Sequence, residues 1–81
     1  RIHRGGEHYD TVMANYIRRC TDLDAQFNRA LATRSDAPQL ADAVALYQQG
    51  AANCSSGARL RGIRELTEAI RMIGARPRVS L

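Results

Sequence analysis

CTDLDAQFNRALATRSDAPQLADAVALYQQGAANC, residues 20–54, is the stretch that decides the fold. Its centre, Asp36-Ala37-Pro38, interrupts two runs of helical periodicity, and its two ends are the cysteines of the chain, Cys20 and Cys54. In an antiparallel helical hairpin, residues equidistant from the turn stand level with each other. The midpoint of Cys20 and Cys54 is residue 37, inside that turn, so a hairpin folded here brings the two sulfurs within reach of a disulfide. Two buried free thiols are the alternative reading, because unpaired cysteine is itself among the most buried residue types.

Working back from the turn, Tyr9, Met13, Tyr16, Cys20, Leu23, Phe27 and Ala30 recur at spacings of four and three. That is one face of an amphipathic helix, widened by Val12, Ile17 and Leu31. The pattern predicts a helix from near Glu7 to Ala32 or Thr33, roughly 39 Å long. Working forward, Asp36 and Gln39 read as an N-cap and its box-like partner, with Pro38 in the first turn. Leu40, Val44, Tyr47, Ala51 and Cys54 then carry a second helix. Asn53 to Gly57 breaks that pattern, Ser55 or Ser56 is the expected cap of a third helix, and Leu60, Ile63, Leu66, Ile70 and Ile73 form the apolar face of that helix. Gly74 is its expected C-cap, with Pro77 at the exit.

These elements predict an all-α fold, a small three-helix bundle in which a long first helix packs on a helical hairpin. Residues 1–6 read as a flexible lead-in, 7–75 as the three-helix domain and 76–81 as a basic tail. Tyr9, Tyr16, Phe27 and Tyr47 all fall on inward faces, which assigns them to the core. A third helix folding back along the first is expected to bring Ile70, Met72 and Ile73 near the Tyr9 end and to cover much of it.

A chain of 81 residues is one domain whose small core benefits from a staple. A bridge between Cys20 and Cys54 requires an oxidising compartment, which gives a periplasmic or secreted location as the expectation. The chain begins with Arg1, so it reads as a processed mature protein or a piece of a longer one. No apolar run reaches the roughly 18 to 20 residues of a membrane span. All twelve basic residues are arginines, the net charge is +4, and the excess lies beyond residue 54.

Residues 46–73, LYQQGAANCSSGARLRGIRELTEAIRMI, resemble a single tetratricopeptide-repeat hairpin. The match lies in Gly50 in the first helix, Gly57 at the turn, Gly62 early in the second helix, and Leu66 and Ala69 at the family's intervals. Asn53 stands where the family usually has an aromatic, and the closing proline near Gly74 is missing. The resemblance implies two helices in close approach at the glycines. It also implies the family's usual role, holding a peptide or partner protein in a helical groove.

Chemistry is otherwise sparse. His3, Glu7, His8 and Asp10 have metal-ligand side chains without the spacing of a metal site, and read as a solvated helix start. Ser55 and Ser56 lie far along the chain from either histidine, so no catalytic triad can be built and no enzyme activity, metal or cofactor is called for. Neither cysteine has the setting of an activated thiol, since Cys54 falls at a helix C-terminus. Arg59, Arg61, Arg64, Arg71, Arg76 and Arg78 raise nucleic-acid binding through the third helix and tail as the competing function. Against it, Arg61 with Glu65, Arg64 with Glu68 and Glu68 with Arg71 are spaced to pair along the helix. The expected function is therefore binding of another protein by an accessory or assembly subunit. Candidate partner-binding residues are Tyr9, Val12, Met13 and Tyr16 on the first helix and Arg61, Arg64 and Arg71 on the third, and the first helix's stripe is compatible with a homodimer.

Overall fold

The computed structural model describes residues 3–78, with side chains from Thr11 to Arg78. Three helices, α1 (His3–Thr33), α2 (Leu40–Ser56) and α3 (Arg59–Met72), make up the predicted all-α bundle, and the described residues contain no strand. α1 begins at His3 rather than near Glu7, so Gly5 and Gly6 lie within it. Once a helix is nucleated, each further residue adds one bond at little cost, and two glycines do not stop it. Arg1, Ile2 and residues 79–81 of the basic tail lie outside the described residues.

The turn around residue 37 is built from successive short-range bonds. The N–H groups of Arg34, Ala37 and Leu40 donate to the carbonyls of Leu31, Arg34 and Ala37 at 3.2, 3.1 and 3.1 Å. The expected cap at Asp36 does not form: Gln39 is the N-cap of α2 and makes no side-chain capping bond. Pro38 lies in the turn instead of the helix, which leaves Asp36 too early to reach the first free N–H groups. Likewise Ser55 and Ser56 do not cap α3. They belong to the last turn of α2, where Ser56 Oγ donates to the Asn53 carbonyl at 3.2 Å, and the N-cap of α3 is Ala58.

The exits of α2 and α3 use the left-handed conformation that glycine tolerates best. Gly57 ends α2 at φ 101°, and Gly74 follows α3 at φ 83°. The Gly74 N–H donates to the Arg71 carbonyl at 2.9 Å and the Ala75 N–H to the Ile70 carbonyl at 3.2 Å, the paired bonds of a Schellman motif.

α2 packs most extensively on α3, and α1 lies chiefly against α3. The core is Leu23, Phe27 and Ala30 of α1, Ala43 of α2, and Leu66, Ala69, Ile70 and Ile73 at and beyond the middle of α3. Phe27, Leu23, Leu66 and Ile70 are fully buried, each contributing roughly 1.5 to 3 kcal/mol of hydrophobic stabilisation. Phe27 stacks on Tyr47 with ring centroids 4.5 Å apart and planes 8° from parallel. Their sequence midpoint is again residue 37, so the aromatic pair keeps the register of the cysteines.

The close approach of α2 and α3 has a local cause. A Cβ on Gly50 would lie 3.1 Å from the Gly62 carbonyl oxygen, and one on Gly62 would lie 2.7 Å from the Gly50 carbonyl oxygen. Each glycine thus makes room for the other's backbone. Any larger residue would force the helices apart.

One expectation is overturned by direction. α2 runs back along α1, so α3, running back again, is parallel to α1 and rises from the level of Cys20 toward Ala30. Cys20 Sγ stands 4.0 Å from the Arg59 carbonyl at the start of α3, while Ile70 and Ile73 at its end join the cluster around Phe27 and Ala30. They lie far from the Tyr9 end and cannot cover it. Between Thr11 and Arg19 no residue of α1 is buried, and this half of the helix projects beyond the bundle.

Candidate functional site

The projecting half of α1 is closed off at its base by the disulfide. Cys20 and Cys54 are bonded, with Cα atoms 6.2 Å apart, as the register around residue 37 predicts. The bridge holds α1 to the end of α2 at the point where α1 leaves the core. Below it the α2–α3 turn comes to rest against α1, and Met13, Tyr16, Gly57, Ala58, Arg59, Leu60 and Arg61 line a hollow of about 310 Å³. A second hollow of about 290 Å³ lies beside the bridge, with Ile17, Cys20, Thr21 and Ala51 in its wall, and Arg59 borders both.

Helical spacing explains the apolar content of this surface. Val12, Met13, Tyr16 and Ile17 continue the stripe that Cys20, Leu23 and Phe27 carry into the core, but only the α2–α3 turn and the first turn of α3 stand opposite, and they cover it in part. Val12, Met13 and Tyr16 are half-buried, whereas Ile17 keeps 47% of its surface exposed. Leu60, on the predicted apolar face of α3, is 50% exposed because the first turn of α3 lies below the core. The position of Leu60 in the periodic pattern marked it as apolar-faced. Its exposure follows from where α3 starts relative to Cys20, which the pattern does not contain.

Arg59 and Arg61 stand in the wall of the hollow that Met13, Tyr16 and Leu60 line, with no carboxylate among the described residues of that wall, whereas the hollow beside Ile17 also has Asp24 in its wall. Residues 11–19 and 55–64 contain Arg18, Arg19, Arg59, Arg61 and Arg64 and no carboxylate. Of the three ion pairs expected on α3, only Glu68 with Arg71 is present, at 3.8 Å and on the solvent face. Glu65 instead turns toward α2, where Gln49 Nε2 and Asn53 Nδ2 donate to its two oxygens at 2.8 and 2.6 Å. The Gly50–Gly62 crossing brings α2 so near that Glu65 meets these amides before it can meet Arg61. Arg61 and Arg64 are left exposed and basic.

The predicted site residues therefore divide. Met13, Tyr16 and Arg61 line one hollow, while Val12 beside Met13 on α1 and Arg64 a turn further along α3 stand outside its wall. Arg71 sits ten residues past Arg61, about 15 Å along α3, and faces Glu68. The side chain of Tyr9, like those of His3, Glu7, His8 and Asp10, lies outside the described residues. Among the described residues no group of three His, Cys, Asp or Glu is placed to hold a metal ion. Of the inward-facing aromatics, Phe27 is in the core, Tyr47 is half-buried against it, and Tyr16 is half-buried with the Arg19 guanidinium 5.9 Å from its ring centroid.

Two further polar clusters tie the bundle together. Tyr47 donates from its hydroxyl to Asp24 Oδ1 at 2.7 Å and accepts from Asn28 Nδ2 at 3.2 Å. The Asn28 bond favours the phenolate, but the bond to Asp24, burial and the Asp24 charge outweigh it and hold the Tyr47 phenol above its ordinary range. At the far end the segment after α3 returns to α1. The Gln26 side-chain amide donates to the Arg78 carbonyl at 2.5 Å and accepts from the Arg78 N–H at 2.8 Å, beside Asp22, Arg29 and Arg76.

No helix among the described residues is long and apolar enough to cross a membrane. Compared with models of protein families, with curated proteins and with solved structures, the chain matches none.

Proposed function

We propose that this protein is a non-enzymatic accessory or assembly subunit that binds another protein through the projecting half of α1 and the first turn of α3. The observation that carries the reading is the exposure of Ile17 and Leu60, 47% and 50%, beside half-buried Met13 and Tyr16. Large apolar side chains left exposed in two neighbouring hollows are costly to keep in water, and such surface is where a partner gains most by covering it. The disulfide supports a periplasmic or secreted setting, since such a bridge persists where thiols are oxidised. The resemblance of residues 46–73 to a tetratricopeptide-repeat hairpin points the same way, toward a helical scaffold that holds a partner.

Site-specific photocrosslinking in the native compartment tests it. With Leu60→benzoylphenylalanine, a discrete adduct with a second protein is expected, lost when Ile17→Glu is added; Gln48→benzoylphenylalanine, exposed on α2, should not give it. Absence of any protein adduct at Leu60, or the same adduct at Gln48, would sink the reading.

A second reading is nucleic-acid binding through α3 and the tail, and it gains from the diversion of Glu65, which leaves Arg61 and Arg64 without carboxylate partners. Its weakness is geometry. Arg59, Arg61 and Arg64 cluster at one end of α3, whereas Arg76 and Arg78 lie past the other, beside Asp22. Affinity for duplex or single-stranded DNA that falls steeply with salt would support it, and no binding at low salt would remove it.

A further inference from the structure

Building on the protein-binding reading, we propose that the surface of Met13, Tyr16, Ile17 and Leu60 accepts an acidic amphipathic helix of the partner. Two observations define the occupant together. The floor is apolar and runs along α1 at helical spacing, with Met13 and Tyr16 at i and i+3 facing Leu60 of α3 across one hollow and Ile17, at i+4, in the adjoining hollow that Arg59 also borders. An apolar stripe on a docking helix interdigitates with a floor of that kind. The wall is basic: Arg59 and Arg61 line the hollow with Met13, Tyr16 and Leu60, the Arg19 guanidinium lies over the Tyr16 ring, and the carboxylate of Asp24 stands in the neighbouring hollow beyond Ile17. A helix with Asp and Glu flanking its apolar stripe places negative charge against that wall, and charge-assisted bonds to guanidinium orient it.

The same charges argue against the other occupants. A second copy of this chain, docked on this hollow about a two-fold axis, would set Arg59 and Arg61 against their own copies, and like charges across an interface disfavour that pairing. Nucleic acid would match the charge but not the floor. Three of the four floor side chains are aliphatic, and the guanidinium of Arg19 lies over the face of the remaining ring, Tyr16, where a base would stack.

The test uses the oxidised full chain and fluorescein-labelled peptides of about 18 residues, long enough to become helical on contact. One peptide carries leucines at helical spacing with glutamates elsewhere; a second replaces every glutamate by lysine, and a third replaces every leucine by glutamine. The expected result is that the acidic leucine peptide binds on the order of tenfold or more tightly than either control. Ile17→Glu or Leu60→Glu should weaken it by a similar factor, while the urea midpoints of those variants stay near that of the parent. Equal binding of the acidic and basic peptides, or no binding of either, overturns the acidic-helix assignment. So does a single-stranded oligonucleotide that outcompetes the acidic peptide, or a Leu60 photoadduct of twice the chain mass. The protein-binding reading fails separately, on the absence of any Leu60 adduct with a second protein. If such an adduct forms and the crosslinked partner segment is basic or uncharged, protein binding stands and the acidic helix falls.

Discussion

Gly62 and Cys54 meet so closely that a Cβ at position 62 would stand 2.5 Å from Cys54 Sγ. It would also lie 2.9 Å from the Cys54 backbone nitrogen. Absence of a side chain at Gly62 therefore does two things at once: it lets α2 cross α3 and it leaves room for the sulfur that bonds α1. Stability and the attachment of the projecting helix are joined at one residue.

Gly62→Ala should accordingly be destabilising despite the roughly 1 kcal/mol that alanine gains over glycine in a helix. Overpacking against backbone costs about 1 to 3 kcal/mol or more, and the Gly50 carbonyl and Cys54 nitrogen are not flexible ends that can step aside. Because the contacts are with backbone, the cost falls at the upper end, and a net loss of about 1 to 2 kcal/mol is expected in urea denaturation of the oxidised protein. Gly50→Ala, whose new Cβ meets neighbours at 3.1 Å, should lose less. A Gly62→Ala protein as stable as the parent would show that the crossing is looser than described.

The Cys20–Cys54 bridge encloses a loop set by a separation of 34 residues, which in the chain-entropy model removes about 4 kcal/mol of unfolded-state freedom. Domains of this size have only about 5 kcal/mol in total. Reduction should therefore bring the urea midpoint close to zero denaturant, and the Cys20→Ala, Cys54→Ala double variant should match the reduced protein and ignore reductant. A midpoint unchanged by reductant would mean that helix packing alone holds the fold.

The register of this fold was legible because it rests on counting. Cys20 with Cys54 and Phe27 with Tyr47 share the midpoint at residue 37, and both pairs are in contact. The three helices and the glycine exits at Gly57 and Gly74 follow from periodicity and from backbone conformations few other residues adopt. What was not legible depends on lengths and competition between partners. Asp36 and Ser55 have the right chemistry for caps, yet one or two residues of shift in helix start leave them idle. Glu65 stands four residues from Arg61, but amides on a neighbouring helix take it first. Of the candidate surface, Val12, Met13, Tyr16 and Ile17 lay on the visible stripe, whereas how much of Ile17 and Leu60 stays exposed depends on α3 running parallel to α1.

Glu65 offers a direct check on that competition. Glu65→Ala leaves the Gln49 and Asn53 amides without their acceptor and should cost about 1 to 3 kcal/mol, as expected for hydrogen bonds to a charged group. A double-mutant cycle with Asn53→Ala should show coupling, because the two share one 2.6 Å bond. Arg61→Ala should change stability by no more than about 0.5 kcal/mol and show no coupling to Glu65. Coupling between Arg61 and Glu65 instead would restore the ion pair expected from their spacing.

Tyr47 gives the fold a sensitivity to alkali with a defined sign. Its phenol is held above the ordinary value of 10.0, so the folded state binds that proton more tightly than the unfolded state does. The stabilisation is fully present below the ordinary value and is lost as pH rises through the higher folded value, when a phenolate would face the Asp24 carboxylate. Tyr47→Phe removes the hydroxyl together with its bonds to Asp24 and Asn28, at a cost of about 1 to 2 kcal/mol near neutral pH. The gap in urea midpoint between parent and variant should then narrow above about pH 10, because only the parent has this proton to lose. In the near-ultraviolet difference spectrum between the two proteins, the phenolate band of Tyr47 should rise later than that of a free tyrosine. A gap that widens with pH, or a Tyr47 that ionises below the ordinary value, would mean that the Asn28 bond outweighs the Asp24 carboxylate.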